Sequence, residues 1–307
     1  MRKYIYHIVI ICLMCISHWG NGQQYALYTQ YMFNGLAINP AYAGSNEALN
    51  VTAFSRRQWT NVEGAPTTTG VSAHTPIKKE SMGLGLIIAK DKITIFNQTS
   101  VNLTYAYHVP LAENKKLSLG LQAGFAHHNA SYTSLTSKTP DDPARAASDI
   151  NTWSPSFGTG AYYYTNRFYA GLSIPYLASN LLRTKNIRNE IHYQNNYFFA
   201  TGYVMSLSPH VQFKPNLLVK YMAGNPIQVD LNANFLFKEV LWAGASLRSL
   251  NALSFLTQVN LTEQLKFGYS YDINLGPLSG LSKGAHEFVI SYLFSFNRTN
   301  IDSPRYF

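Results

Sequence analysis

Residues 228–237 read Gln-Val-Asp-Leu-Asn-Ala-Asn-Phe-Leu-Phe, so Val229, Leu231, Ala233, Phe235 and Phe237 share one side of an extended chain. Gln228, Asp230, Asn232 and Asn234 share the other. Strand side chains alternate sides, and such a segment has one apolar and one polar surface. The same alternation recurs near residues 50–58, 67–75, 83–90, 100–109, 116–126, 156–164, 168–175, 197–205, 211–221, 228–237, 240–248, 252–260, 265–272 and 285–294. These are about fourteen candidate strands. Past the amino-terminal leader, no run approaches the ~18 apolar residues of a spanning helix. A chain that enters a membrane without such helices must close its sheet, because hydrocarbon offers backbone groups no other partner. The pattern therefore predicts an all-β, transmembrane, up-and-down antiparallel barrel of the outer-membrane type.

The leader itself is Arg2-Lys3, an apolar run from Ile5 to Ile16, and the small residues Gly20 and Gly22. This is the form of a secretory signal peptide, residues 1–22, cleaved before Gln23. Both cysteines, Cys12 and Cys15, fall within it. The mature chain is then expected to lack disulfides, thiol chemistry and cysteine metal sites. Removing the leader leaves 22 basic against 15 acidic residues with no Lys/Arg cluster, which argues against nucleic acid as a partner.

Alternate connections are short: 165–167, 206–210, 238–239 and 261–264, against 127–155 and 176–196. Outer-membrane barrels turn tightly in the periplasm and loop widely outside, so the expected arrangement has both termini periplasmic. Tyr105, Tyr107, Tyr163, Phe168, Phe235, Phe237, Tyr292 and Phe294 face outward beside the short turns as an aromatic girdle, with Tyr269 and Tyr271 at the opposite interface. The inward parity carries Gly83, Gly85, Ser118, Gly120, Gly124, Gly158, Gly160 and Gly171. A soluble sandwich or lipocalin-like barrel needs bulky apolar residues on that face, and they are missing.

Inward positions also carry Lys220, Asp230, Arg248, Lys266, Asp272 and Glu287, whose mixed signs suit a paired polar network more than an ion-selective channel. Asp272 and His286-Glu287 are expected near the external rim beside residues 273–284. His286 has the lipid-facing parity and Glu287 the inner one, which favours a hydrogen-bonded strand-end group over a metal centre. Arg56, Arg57 and Trp59 are expected at the outer mouth, within reach of lipopolysaccharide phosphates but explicable as rim charge. His127-His128 are expected to be solvated on the longest loop. Asp141-Asp142-Pro143 with Asp149 lacks the glycine-spaced calcium pattern. There is no Gly-x-Ser-x-Gly, phosphate loop or His-Glu-x-x-His, hence no enzymatic, cofactor or metal signature.

The segment Thr29-Gln30-Tyr31-Met32-Phe33-Asn34, followed by Ile38-Asn39-Pro40-Ala41-Tyr42-Ala43-Gly44, resembles the opening of the PorP/SprF family of type IX secretion system membrane proteins. Ser246-Leu247-Arg248, Gly268-Tyr269-Ser270-Tyr271-Asp272 and His286-Glu287 resemble its close. On this resemblance the candidate partner-contact or motif residues are Tyr31, Met32, Asn34, Asn39, Pro40, Tyr42, Gly44, Arg248, Tyr269, Tyr271, Asp272, His286 and Glu287. The implied organisation is a signal peptide (1–22), a periplasmic amino-terminal segment (23–49), the barrel (50–296) and a periplasmic tail (297–307) ending in Phe307. Asn39-Pro40 sets a turn and Gly44 frees the backbone, so the amino-terminal segment is expected to be ordered as a periplasmic lip or lumen plug, or as packing that closes the barrel base.

The family likeness implies a non-enzymatic role in secreting or surface-attaching cargo proteins or gliding adhesins. Implied partners are periplasmic or outer-membrane secretion-system and peptidoglycan-tethering lipoproteins, together with outer-membrane lipid. A diffusion channel or small-molecule transporter is the alternative.

Overall fold

The computed structural model describes residues 28–46, 48–77, 81–134, 149–177, 195–249 and 251–294. The leader, Asp141-Asp142-Pro143, most of the 176–196 connection and the tail 297–307 with Phe307 lie outside the described residues.

The strands are β1 (Leu49–Arg57), β2 (Thr67–Ile77), β3 (Met82–Ile93), β4 (Phe96–Ala112), β5 (Lys115–Ala130), β6 (Ile150–Thr165), β7 (Phe168–Leu177), β8 (Asn196–Tyr203), β9 (Met205–Ser208), β10 (Val211–Met222), β11 (Gln228–Phe237), β12 (Leu241–Arg248), β13 (Ala252–Asn260), β14 (Leu265–Asn274) and β15 (Ala285–Phe294). Both β8 and β9 pair with β10 in one continuing line. They form a single wall strand interrupted at Val204, whose N–H donates instead to the Arg167 carbonyl at 2.7 Å. β1 pairs antiparallel with β15, Leu49 opposite Phe294 and Arg57 opposite His286, which closes the sheet. The result is a closed fourteen-stranded antiparallel barrel.

The outward face is apolar where a water-soluble protein would hide it: Leu103, Leu121 and Leu172 are 65%, 64% and 62% exposed. Aromatic pairs mark the short-turn end, with Phe213 stacked on Phe235 at 4.7 Å and Tyr292 against Phe294 at 4.5 Å. Satisfied backbone, an apolar band and an aromatic girdle are the three conditions of a lipid-facing wall.

Strands β4, β5 and β6 run 17, 16 and 16 residues, longer than the alternation pattern predicts. Spanning takes about 9–11 residues. In β5 and β6 the excess projects at the long-loop end, where β6 continues from Phe157 to Ile150 past Leu177, the last residue of β7. His127 and His128 are consequently within β5 and not on a solvated loop. His127 Nε2 is 2.7 Å from Asn151 Oδ1 and its ring stacks on Trp153 at 4.6 Å, while His128 Nε2 lies 2.8 Å from Ser154 Oγ. Cross-strand pairing supplies these histidines with partners, so the ladder continues beyond the apolar band.

Past this hairpin Asp149 accepts the Thr133 N–H at 3.0 Å and its hydroxyl at 3.0 and 3.1 Å. The backbone bond first, then the hydroxyl, holds the Asp149 carboxyl below the usual carboxylate range. A depressed folded value means that the contact is complete above the ordinary carboxyl range and lost as pH falls through the lowered one. A carboxyl-carbon NMR titration should place the Asp149 midpoint below that of an unstructured aspartate.

Depth dependence tests the membrane-facing surface. Leu121→Arg, in the centre of the apolar band, should cost about 2–4 kcal/mol of folding stability in bilayers, whereas Trp153→Arg, near the rim, should cost about 0–1 kcal/mol. Equal costs would contradict a lipid-facing band.

Candidate functional site

The described part of the amino-terminal segment, residues 28–46, lies inside the barrel. It is built from three short 3-10 turns, Tyr31–Phe33, Gly35–Ala37 and Pro40–Tyr42. Asn39 is extended and its Oδ1 accepts the Ala41 N–H at 2.9 Å, while Pro40 begins the last turn with its ring-fixed φ. Gly44 then takes φ +72°, a left-handed conformation, and donates its N–H to His74 Nδ1 at 3.2 Å. From there the chain enters β1 at the short-turn end.

The wall is shaped to this segment. A Cβ on Gly120 would occupy the backbone of Pro40 and Ala41, one on Gly83 the backbone of Ala43, and ones on Gly160 and Gly171 the Asn39 side chain. These inward glycines are therefore the imprint of the segment, and the lumen beside them is packed, whereas Gly124 and Gly158 face the neighbouring wall strands at Asn102 and Pro175. Asn39 Nδ2 donates to the Ala161 carbonyl at 3.0 Å, and Ser173 Oγ donates to the Ile38 carbonyl at 2.5 Å. Ser72 Oγ donates to Asn34 Oδ1 at 3.1 Å, and Asn232 Nδ2 donates to the Tyr31 hydroxyl at 2.6 Å. Tyr42 packs edge-on against His74 and Tyr162 at 5.3 and 5.5 Å, and Met32 is buried in the same core. Between Tyr31, Met32, Tyr42, Tyr162 and Tyr169 a gap of about 30 Å³ is left, roughly the room of one water.

Toward the long loops the segment ends in an ionic cluster. Glu287 accepts the backbone N–H groups of Thr29 and Gln30 at 2.8 and 2.9 Å, and Arg56 Nη1 at 3.0 Å. Asp272 accepts the Thr29 hydroxyl at 2.9 Å and Arg56 Nη2 at 2.6 Å. Arg248 donates to Asp230 at 3.0 Å and approaches Asp272 at 3.8 Å. All five charged side chains are buried, and each strand supplying them begins or ends at the long-loop end. Two guanidinium groups and two backbone N–H groups thus balance three carboxylates, the condition under which buried charge is tolerated.

Several expected residues change role here. Arg56 is not at the outer mouth: it has the inward parity of Thr52 and Phe54 and is the centre of the cluster. Asp272 and Glu287, at the long-loop ends of β14 and β15, point into the lumen as their parity predicts, and His286 faces outward with its Nδ1 2.8 Å from the Tyr269 hydroxyl. Tyr271 donates to the Lys283 carbonyl at 2.6 Å. The inward set joins only in part: Asp230, Arg248, Asp272 and Glu287 meet, Lys220 lies over Phe198 at 5.9 Å, and Lys266 is near the opposite end of β14. Thr29 and Gln30, quoted in the motif, are contact residues that the candidate set omits. Lys214 was also missed; it is buried 5.7–6.0 Å from the ring centroids of Trp242, Tyr169 and Phe33. Inward parity on β10 is the signal that finds it.

The family model of type IX secretion system membrane protein PorP/SprF matches residues 20–292, from the segment in the lumen through the last strand. The chain belongs to this family. Its solved structural neighbours are outer-membrane barrels. The CymD monoaromatic hydrocarbon channel is similar at TM-score 0.50 and 12% identity, over 90% of this chain and 95% of that one. The Acinetobacter baumannii outer membrane protein Omp33 is similar at TM-score 0.48 and 10% identity, over 81% and 98%. No curated protein matches the chain. At such identities the likeness speaks for the fold alone, and the secretion family comes from the sequence. In this PorP/SprF barrel, the motifs near the two ends of the sequence meet physically, Thr29-Gln30 against Asp272 and Glu287.

Arg56→Met should cost about 3–5 kcal/mol, since it leaves buried carboxylates uncompensated. Thr29→Val should cost about 1–3 kcal/mol. Denaturant unfolding in detergent, with protease accessibility of the amino-terminal segment, measures both. An Arg56→Met barrel as stable and protected as wild type would disprove the cluster's holding role.

Proposed function

We propose that this PorP/SprF barrel is a non-enzymatic scaffold of type IX secretion, supporting the secretion or surface attachment of cargo proteins or gliding adhesins. The observation that carries the reading is the lumen filled by the chain's own motif. A wall packed around its own segment makes an anchor, whereas a conduit needs an open path. In the proposed orientation the long loops face outward and meet cargo. The short turns, the start of β1, the end of β15 and the tail 297–307 face the periplasm, where secretion-system and peptidoglycan-tethering lipoproteins dock. The segment 28–46 then climbs from the periplasmic start of β1 through the lumen, and its motif residues act by holding the barrel rigid for those contacts. Residues 1–22 direct export and are removed.

The channel alternative shares the wall, and one of its neighbours, CymD, is named as a channel. Here that reading requires the amino-terminal segment to leave the lumen. Purified full-length barrel should be silent in planar bilayers, and in vivo cross-linking followed by purification should recover type IX secretion components or exported cargo. Steady conductance of the intact chain, with no such components recovered, would favour transport instead. Cysteine labelling of the 58–66 loop on intact cells reads the orientation independently.

A further inference from the structure

On β3 the outward row runs Leu84, Leu86, Ile88 and then Lys90 and Lys92. On β2 it runs Val71, Thr69, Thr67, and β1 ends outward at Arg57. All three strands therefore leave the apolar band at the long-loop end, where headgroups replace hydrocarbon. Register places Arg57 opposite Thr67 and Thr67 opposite Lys92, and Thr69 opposite Lys90. Arg57 and Lys92 are thus two strand spacings apart, ~10 Å, and Lys90 and Lys92 are ~7 Å apart along one face. Their side chains are long enough to converge on one headgroup.

The charge on this surface has one sign. Arg57, Lys90 and Lys92 are exposed, and the ion pairs among the described residues lie elsewhere, in the lumen. Asp91 points inward and accepts the Thr68 hydroxyl at 2.6 Å. Glu63, in the neighbouring 58–66 connection, is an exposed carboxylate that makes no ion pair among the described residues. On the described strands the other outward Lys or Arg side chain is Lys115, at the short-turn end, and no carboxylate has the outward parity. Tyr269, Tyr271 and His286 flank the patch through β15, which pairs with β1. Cations that form no ion pair among the described residues, beside hydroxyls and amphipathic aromatics at headgroup height, match a phosphorylated lipid.

We propose that Arg57, Lys90 and Lys92, with Thr67 and Thr69 between them, bind the phosphorylated headgroup of a glycolipid in the leaflet at the long-loop end. The choice of glycolipid rests on the outward orientation of the long loops proposed above. It gives the barrel one preferred lipid-facing side, on β1–β3.

Native mass spectrometry of the full barrel in detergent, titrated separately with bisphosphorylated and dephosphorylated lipid A, tests it. Three cations at about fivefold each predict a preference on the order of a hundredfold for the phosphorylated form. The triple variant Arg57→Gln, Lys90→Gln, Lys92→Gln should lose that preference and Lys115→Gln should keep it. Equal binding of the two lipids by wild type, an unchanged preference in the triple variant, or equally effective displacement by phosphatidylglycerol would each overturn the proposal. The wild-type comparison requires no variant to fold. Because recovery of secretion partners is a separate readout, failure here leaves the scaffold reading standing.

Discussion

A backbone amide in hydrocarbon has only another backbone to bond, and the architecture follows from that constraint. Fourteen wall strands must pair around a full circle, which makes a lumen unavoidable. The lumen must then be wet or filled. This chain fills it with residues 28–46, and the inner wall meets them with glycines and, against the sequence expectation that bulky apolar residues are missing from that face, with large side chains such as Phe54, Trp242 and Leu256. The same side-chain alternation that puts leucine against lipid puts glycine and asparagine against the inserted segment.

Filling the lumen in this way combines two kinds of interaction. Toward the short turns, close packing dominates, with Pro40, Ala41 and Ala43 seated on glycines and Tyr42 among other rings. Toward the long loops, charge dominates, and Thr29 and Gln30 contribute backbone N–H groups to Glu287. The packed end needs no particular partner chemistry, only shape. The charged end is unforgiving, because removing one member strands the others in a low-dielectric interior.

Period-two alternation made all fourteen wall strands legible, and 228–237 matches β11 at both ends. It failed where polar residues continue a ladder, as at His127 and His128, since hydrogen-bonded pairing does not require an apolar face. Parity correctly separated His286 from Glu287. Applied to Arg56 it would have placed that side chain inside; position near a strand end suggested the rim, and position was the weaker cue. The Thr29-Gln30 contact with Glu287 was beyond local reading, because it joins residues 258 apart and depends on three-dimensional closure. Whether the interior was open or packed was also hidden. Glycine on an inner wall signals space, and only the fold shows what occupies it.

The cluster around Arg56 draws its members from both ends of the polypeptide: Thr29 and Gln30 precede the first strand, Arg56 is on it, and Asp272 and Glu287 come from the final hairpin. Joining β1 to β15 and locking the amino-terminal residues in place are hence one event. During biogenesis, a chain still lacking its last two strands lacks Asp272 and Glu287, the two carboxylates that bind its beginning directly. Formation of the β14–β15 hairpin is thereby written into the seam, and a barrel without it is left with an unlocked interior as well as an open edge.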